Sequence, residues 1–408
     1  MALLLLVARA GQQRYEGQYN ERKLHLLLRT IPDSIAAQRS QKGSYFQNLE
    51  WYTAVLKTLT FVPLEQLLSS EKLDAIIVST LVNIRYYTGF TGSNGLLLVT
   101  LSGATLFTDP RYATQAPQEV NCDVVVVIGP LLKKLAAKLK TLRKPRIGFE
   151  NSKVSYALYQ ELAALGELMP LGNAVEKPRW TKSAAEIAAI RASVNLSSLA
   201  LKKAMKRFKA GMKEKDLAAE IDFQMRKLGA EGTAFETIIA SGAHSALPHA
   251  RPRDERIAEG GYLLIDMGAC LNGYMSDMTR TFGVGRATRE SLRIYKAVLE
   301  AQQAAIEAIR PGKRAEQIHA AAVRVLKGHG LDELFIHSTG HGLGLEIHEA
   351  PRLGKGDKTE LASGMTITIE PGVYKPGFGG VRIEDTVLVT ENGSEVLTPT
   401  PKGWTIVG

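Results

Sequence analysis

Two aspartates in the second half of the chain flank a tight-turn signal. Asp266 follows the apolar run LLI, and Asp277 comes after Asn272-Gly273, a pair typical of a two-residue β-hairpin turn. Such a turn places position 266 opposite position 279, so that both aspartates face the same side of the hairpin. Two like charges on an apolar strand face are costly without a cation. Taken alone, turn or cap roles explain this pair equally well.

Two glutamates repeat this arrangement later in the chain. Glu370 and Glu384 end or interrupt the apolar runs ITIE and VRIE, 104 and 107 positions after Asp266 and Asp277. His341 lies within GHGLG, where glycines let the backbone approach closely. Four carboxylates and one histidine suit two divalent ions of the Mn, Co, Zn or Fe kind. Two ions about 3.5–4 Å apart can share a hydroxide and polarise a carbonyl.

Two similar helix–helix–hairpin blocks are expected to position these side chains. The first block opens with a capping box, Ser183-Ala-Ala-Glu186, and Gly229 stands where a C-terminal glycine cap belongs. In the second block, Gly328 is expected to close the second helix. The expected elements are helices over about 183–209, 213–228, 288–309 and 314–326, the hairpin around Asn272-Gly273, and strands over 365–370 and 380–389. This pseudo-symmetry predicts a site between the two halves.

The chain before residue 170 has the pattern of an α/β domain. Helical patterns at 131–143 and 154–165 alternate with short Ile, Val and Leu runs, which predicts a largely buried sheet. The runs are 73–79, 95–101, 104–109, 123–129 and 146–150. A polar stretch with a proline marks a boundary near 170–182. We therefore predict an N-terminal extension or mis-assigned start over 1–62, a domain over 63–172 and a second domain over 180–408.

The composition excludes several classes of protein. Hydrophobic residues make up 45% of the chain and charged residues 23%, as in ordinary globular proteins. Two cysteines exclude a disulfide scaffold, and no apolar run approaches the roughly 18–20 residues of a membrane span. We therefore expect no membrane and a cytoplasmic location. The net charge of +10 permits contact with nucleic acid, but a solvated helix face is the simpler interpretation of the basic run at 131–146.

The sequence resembles the pita-bread metallopeptidases, which include methionine aminopeptidase, Xaa-Pro aminopeptidase and prolidase. The resemblance covers about residues 63–400 and implies a creatinase-like N-terminal α/β domain followed by a pseudo-symmetric α+β pita-bread catalytic domain. It rests on ALPHARP (246–252), LLIDMGA (263–269), SDMTRTF (276–282), HSTGHGLGLEIHEAP (337–351), TIEPGVY (368–374) and VRIEDTVLV (381–389). The family's metal ligands fall on Asp266, Asp277, His341, Glu370 and Glu384.

The resemblance also implies a role for each of these residues. Asp266 would chelate one ion, His341 and Glu370 would bind the other, and Asp277 and Glu384 would bridge them. The two ions would activate a shared water, and Glu370 would carry its proton to the leaving amine.

Five further residues match the family's pocket. His249 and His348 match catalytic histidines that contact the substrate and its proline side, and His249 would stabilise the oxyanion. Substrate-binding roles are implied for His337, Tyr374 and Arg382, the last two also orienting the bridging carboxylate. An ordinary satisfied polar residue is the alternative for any lone histidine, and it is our interpretation of His244, His319 and His329. Cys270 is interpreted as a small buried hydrophobe.

The N-terminal domain indicates the branch of the family. NIRYYTGFTGSNGLLLV (83–99) resembles the proline-specific and creatinase branch, whereas methionine aminopeptidases usually lack this domain. The creatinase branch lacks the full ligand set. We favour a Xaa-Pro aminopeptidase over a prolidase that acts only on dipeptides, and both stay open. A non-catalytic binding protein on this scaffold is a third alternative.

The resemblance also implies the cofactors and partners. We expect two divalent ions with manganese favoured, a proline-containing peptide substrate, a homodimer and no nucleic acid.

Overall fold

The computed structural model describes residues 60–209 and 211–408. Most of the predicted N-terminal extension, residues 1–62, lies outside these residues. The chain divides into two compact units between Arg179 and Trp180, inside the polar stretch that suggests a boundary. In the part of the chain that the structure describes, no helix combines the length and the apolar character that a membrane span requires.

A six-stranded sheet forms the core of the first unit. Its strands are β1 (Ala75–Val78), β2 (Leu96–Thr100), β3 (Gly103–Thr108), β4 (Asp123–Val126), β5 (Arg146–Phe149) and β6 (Glu167–Pro170). Their order is β4-β3-β2-β1-β5-β6, and buried apolar side chains cover both faces of the sheet. The central strand β1 is fully buried. The edge strand β4 is partly exposed, so the run at 123–129 is shorter and less buried than its sequence suggests.

The sequence patterns at 131–143 and 154–165 predict two helices of this unit, and both are shorter in the structure. Six α-helices occur among the described residues of this unit. They are α1 (Val62–Ser70), α2 (Leu81–Thr88), α3 (Ala116–Glu119), α4 (Leu131–Leu139), α5 (Tyr156–Ala163) and α6 (Lys177–Trp180) at the division. The sequence patterns missed α1, α2, α3 and α6. After α2, Gly89 takes a left-handed conformation (φ 86°). The lysines of the basic run on α4 are exposed, as expected for a solvated helix face.

The second unit contains two helix–helix–sheet halves. The first half comprises α7 (Ala184–Met205), α8 (Glu214–Lys227), β7 (Gly232–Thr233), β8 (Ile238–Ser241), β9 (Tyr262–Met267), β10 (Ala269–Leu271), β11 (Tyr274–Met275) and β12 (Met278–Val284). The second half comprises α9 (Arg289–Glu307), α10 (Ala315–Gly328), β13 (His341–Gly342), β14 (Glu349–Arg352), β15 (Thr366–Ile369), β16 (Gly372–Lys375), β17 (Gly379–Arg382), β18 (Asp385–Val389) and β19 (Ser394–Val396), before β20 (Ile406–Val407) pairs with β12. Each helix pair packs its apolar side on the sheet of its own half.

Local sequence signals set the ends of these helices. Ser183 and Thr288 form capping boxes at the starts of α7 and α9. Gly229, with φ 105°, follows the end of α8 as expected. The end of α10 differs from the prediction, because Gly328 is its last helical residue. The left-handed glycine beyond it is Gly330, with φ 66°.

The hairpin that carries the two aspartates has the predicted register. Asp266 pairs with Thr279, and Cys270 pairs with Met275 across the turn. Asn272 and Gly273 both have positive φ, at 52° and 78°, which a tight hairpin turn of this type requires.

The predicted strand over 380–389 is wrong in one respect, because it is two strands. β17 pairs with β16, and β18 pairs with β15. Between them the main-chain N–H of Glu384 donates to the carbonyl of Thr279, 3.2 Å away in the first half of the unit. The chain thus changes partners at Glu384, which is the position of the predicted ligand.

Candidate metal centre

All five predicted ligands come from the sheets of the two halves. Asp266 is on β9, Asp277 precedes β12, His341 opens β13, Glu370 follows β15, and Glu384 lies between β17 and β18. One ligand atom from each of Asp277, His341 and Glu384 lies within 4.8 Å of the other two. The His341 Nε2 atom lies 3.4 Å from Glu370 Oε1 and 3.6 Å from Asp277 Oδ2.

The glycines around His341 allow this approach. A Cβ atom at position 340 would lie 1.9 Å from the carbonyl oxygen of Thr368, and one at position 342 would lie 2.3 Å from that of Ala350. The ring Nδ1 of His341 lies 3.0 Å from the carbonyl oxygen of Gly342. Since a carbonyl only accepts, Nδ1 carries the proton and Nε2 presents a lone pair to the carboxylates.

The carboxylates of this centre repel one another in a buried environment. Burial raises the pKa of Asp277 well above its usual range, and Asp266 and Glu370 add to the effect. The pKa of Glu384 is raised in the same way, first by burial and then by Asp277. Burial raises the pKa of Glu370 to about 7. Among the described residues Asp266 Oδ1 is a buried oxygen without a hydrogen-bond partner.

This donor set fits divalent cations. The four carboxylates have one buried guanidinium, that of Arg382, beside them, and no described residue donates a hydrogen bond to Asp266 Oδ1. The Nε2 lone pair of His341 points at the carboxylates. Positive charge would remove the repulsion that raises these pKa values.

Arg382 links the carboxylates to the pocket residues. Its Nη2 donates to Asp266 Oδ2 at 2.6 Å, and its Nη1 donates to the hydroxyl of Tyr374 at 2.7 Å. Its Nε reaches Thr279 Oγ1 at 3.0 Å, and this hydroxyl donates to Glu384 Oε2 at 2.8 Å. The direct partner of Arg382 is therefore Asp266, and the expected bridging carboxylate is reached only through Thr279. The sequence analysis did not single out Thr279.

Tyr374 continues this chain to His337. The Tyr374 hydroxyl lies 2.9 Å from His337 Nε2, and His337 Nδ1 lies 2.7 Å from the carbonyl of Ser338. Because the carbonyl requires a proton on Nδ1, the hydroxyl donates to Nε2 while it accepts from Arg382. Burial lowers the pKa of His337 to about 4 and raises that of Tyr374 to about 12, so both are neutral near pH 7.

The two predicted catalytic histidines lie at the exposed side of the centre. The ring of His348 contacts that of His341 edge to face, with centroids 4.3 Å apart. His249 is exposed, and the carbonyl of the preceding residue, Pro248, accepts a hydrogen bond of 3.1 Å from Arg382 Nη1.

Three other histidines pair away from the ligands. A ring nitrogen of His244 lies 3.1 Å from Glu214, one of His319 lies 2.9 Å from Thr339 Oγ1, and one of His329 lies 2.7 Å from Glu300. These contacts agree with their interpretation as structural residues. The interpretation of Cys270 as buried is wrong. It is half-buried, with its thiol 3.7 Å from Glu231.

Comparison with known proteins identifies the family of this centre. Residues 188–391 match metallopeptidase family M24, and residues 63–180 match the creatinase/prolidase N-terminal domain. The chain is 38% identical over 344 residues to a Xaa-Pro dipeptidase of Pyrococcus furiosus, covering 83% of this chain and 97% of that one. The chain therefore belongs to metallopeptidase family M24 and is a hydrolase of peptide bonds, in a family that uses divalent metal ions.

Solved structures agree with this assignment. A Xaa-Pro dipeptidase from Bacillus anthracis superposes with a TM-score of 0.83 at 35% identity, covering 86% of this chain and 100% of that one. An X-Pro aminopeptidase from Thermotoga maritima gives a TM-score of 0.78 at 33% identity, covering 82% and 98%. The resemblance and the fold class inferred from the sequence, a creatinase-like α/β domain followed by a pita-bread domain, are thereby confirmed.

Proposed function

We propose that this protein is a Xaa-Pro dipeptidase, which hydrolyses the bond between an N-terminal residue and a C-terminal proline. The observation that carries this proposal is the similarity, over nearly the full length of the relatives, to proteins named Xaa-Pro dipeptidase, combined with the carboxylates grouped around His341. The sequence analysis favoured the aminopeptidase, and the comparisons favour the dipeptidase. The aminopeptidase stays the second candidate because of the similarity to the Thermotoga maritima enzyme.

The five clustered residues would hold two divalent ions. Asp266 would bind one ion, His341 and Glu370 the other, and Asp277 and Glu384 would bridge both. Manganese is proposed because a carboxylate-rich site suits this ion. When bound, the ions supply a lowered water pKa and polarisation of the scissile carbonyl. A homodimer is proposed on the family resemblance.

The residues of this chain would then move one proton and orient the substrate. Glu370 takes the proton of the attacking water and delivers it to the proline nitrogen, a role that its position suits, because its carboxylate lies within the cluster at 3.4 Å from His341 Nε2. His249 donates a hydrogen bond to the developing oxyanion from the exposed side of the centre. His348 lies against His341 and contacts the proline side of the substrate.

The chain from Arg382 through Tyr374 to His337 would shape the substrate pocket. All three side chains are held by hydrogen bonds before substrate arrives, which lowers the entropy lost on binding. The neutral state of His337 lets it accept from Tyr374 rather than repel Arg382.

A paired assay tests the proposal. Purified protein loaded with Mn²⁺ is given an Xaa-Pro dipeptide and the matching Xaa-Pro-Yaa tripeptide, and release of the first residue is measured for each. The dipeptide is expected to have a kcat/KM about tenfold or more above that of the tripeptide. Equal or faster cleavage of the tripeptide would establish the aminopeptidase instead. The absence of turnover with Mn²⁺, Co²⁺, Zn²⁺ and Fe²⁺ would contradict any peptidase function.

A further inference from the structure

A buried carboxylate outside the metal centre holds the segment that carries His249. Glu214 is the first residue of α8, and its side chain is fully buried at 0% exposure. Its Oε1 accepts hydrogen bonds of 2.8 Å from both the main-chain N–H and the hydroxyl of Ser241. Its Oε2 accepts one of 2.9 Å from the main-chain N–H of Arg253, and His244 Nδ1 lies 3.1 Å away.

These partners stand at the two ends of one loop. Residues 242–252, here called the His249 loop, run from the end of β8 to Arg253. The middle of the loop is held on its other side by β17. There Ser245 Oγ accepts from the N–H of Gly380 at 2.8 Å, and the carbonyl of Pro248 accepts from Arg382. Glu214 therefore links the two ends of the His249 loop, and the exposed His249 lies within the loop, between these ends.

The second half of the same unit provides an internal comparison. The N–H of Glu214 donates to the carbonyl of Glu255 at 3.1 Å, and the N–H of Ala315 donates to that of Thr359 at 2.9 Å. The helices α8 and α10 thus start with the same backbone arrangement, and β-bridges flank both starts. Ala315 is buried and has no carboxylate. The backbone arrangement at the start of the helix therefore forms without a buried carboxylate. Because a buried carboxylate is costly unless it is paired and hydrogen-bonded, the presence of Glu214 in the first half calls for another explanation.

We propose that Glu214 is a positioning residue that fixes the His249 loop, and with it the imidazole of His249, against the metal centre. The proposal rests on the role of His249 in the proposed function. Several donors on one carboxylate hold a loop more firmly than neutral pairs do, because charge-assisted hydrogen bonds are stronger. A small displacement of His249 would weaken its hydrogen bond to the oxyanion without removing any metal ligand.

Hydrogen exchange measured by mass spectrometry tests the anchoring directly. The change Glu214→Gln is compared with Asp216→Asn, the same acid-to-amide change at an exposed position in the first turn of α8. In metal-free and metal-loaded protein, Glu214→Gln is expected to speed exchange in peptides covering 242–252 by about tenfold, and Asp216→Asn to leave it unchanged. Unchanged exchange in Glu214→Gln would overturn the proposal. If Glu214→Gln does not fold, Arg253→Ala gives the same readout, because it removes the half-exposed guanidinium whose Nε donates to Glu214 Oε2 at 3.3 Å.

A double-mutant cycle with His249 tests the route to catalysis. Glu214→Gln is expected to lower kcat on the dipeptide by about tenfold with the metal content and KM little changed. In the His249→Ala background the same change is expected to alter kcat by less than about twofold, because the residue through which it acts is gone. An equal loss in both backgrounds would overturn the proposal. If His249→Ala alone kept the full rate, the proposed catalytic role of His249 would fail, and the exchange experiment would still decide whether Glu214 anchors the loop.

Discussion

Arg382 and Asp266 form a buried ion pair of 2.6 Å at the edge of the carboxylate cluster, with 4% and 12% of their side chains exposed. In the metal-free protein, this guanidinium partly compensates the negative charge of the cluster. Its other donors reach Tyr374, Thr279 and the carbonyl of Pro248, so one side chain connects the substrate pocket with two of the proposed ligands.

Removing this cation is expected to destabilise the metal-free protein. Arg382→Ala leaves Asp266 buried and unpaired, which is expected to lower the free energy of unfolding by about 3–5 kcal/mol. Arg191→Ala is the control, because its ion pair with Glu395 is exposed, and a loss of about 1 kcal/mol or less is expected there. Urea denaturation of both variants measures the difference. Equal losses would mean that the buried pair contributes nothing beyond an ordinary surface contact.

Glu384→Gln is expected to abolish peptidase activity and yet stabilise the metal-free fold. The change replaces a carboxyl group whose ionisation is unfavourable among buried carboxylates, so the free energy of unfolding at pH 8 is expected to rise by about 1–3 kcal/mol. The metal content after dialysis is expected to fall, because a proposed bridging ligand is lost. Glu395→Gln, at an exposed carboxylate, serves as the control. If Glu384→Gln retained the full rate, the ligand assignment would be wrong.

Glu370 is expected to make the stability of the metal-free protein depend on pH. Its pKa is about 7 in the fold, above the ordinary value of 4.5, so the folded state holds the proton more tightly. The stability it contributes is complete below about pH 4.5 and is lost as the pH rises through 7, by about 3 kcal/mol. His337 acts in the opposite direction, because its pKa is lowered to about 4. The comparison of wild type with Glu370→Gln isolates the carboxyl contribution.

Thermal unfolding between pH 4.5 and 8 measures this effect with and without metal. Metal-free wild type is expected to lose stability relative to Glu370→Gln as the pH rises. The stabilisation of wild type by Mn²⁺ is expected to grow over the same range, because the ligands must lose protons to bind. Parallel pH profiles of the two metal-free proteins would contradict the raised pKa.

The elements that local chemistry determines could be predicted from the sequence. The hairpin register follows from Asn272-Gly273 and the two-residue period of a strand, and Asp266 indeed lies opposite Thr279. The starts of α7 and α9 follow from side chains that cap their own helix, Ser183 and Thr288. The convergence of the four carboxylates follows from the repeated spacing, whereas His341 was found from its glycine-rich stretch and not from the repeat.

What the sequence did not reveal depends on partners distant along the chain. The run VRIEDTVLV reads as one strand because nothing local marks the break at Glu384, where the chain exchanges β16 for β15. Arg382 was expected to serve the bridging carboxylate, but its direct partner Asp266 is 116 positions away. In the sequence, Glu214 resembles an ordinary acidic residue in the first turn of a helix, where its negative charge would interact favourably with the helix dipole. Only the folded loop shows that it is buried and multiply bonded.

The repeated halves of the second unit share a backbone plan but supply different side chains to the centre. The first half contributes two aspartates, and the second contributes two glutamates and His341. The extra methylene of each glutamate alters the reach of its carboxylate, so the two sets are not interchangeable. Two copies of the first half would supply four aspartates without a histidine, and two copies of the second would supply four glutamates with two histidines. Neither half alone therefore encodes the set of side chains that the centre combines.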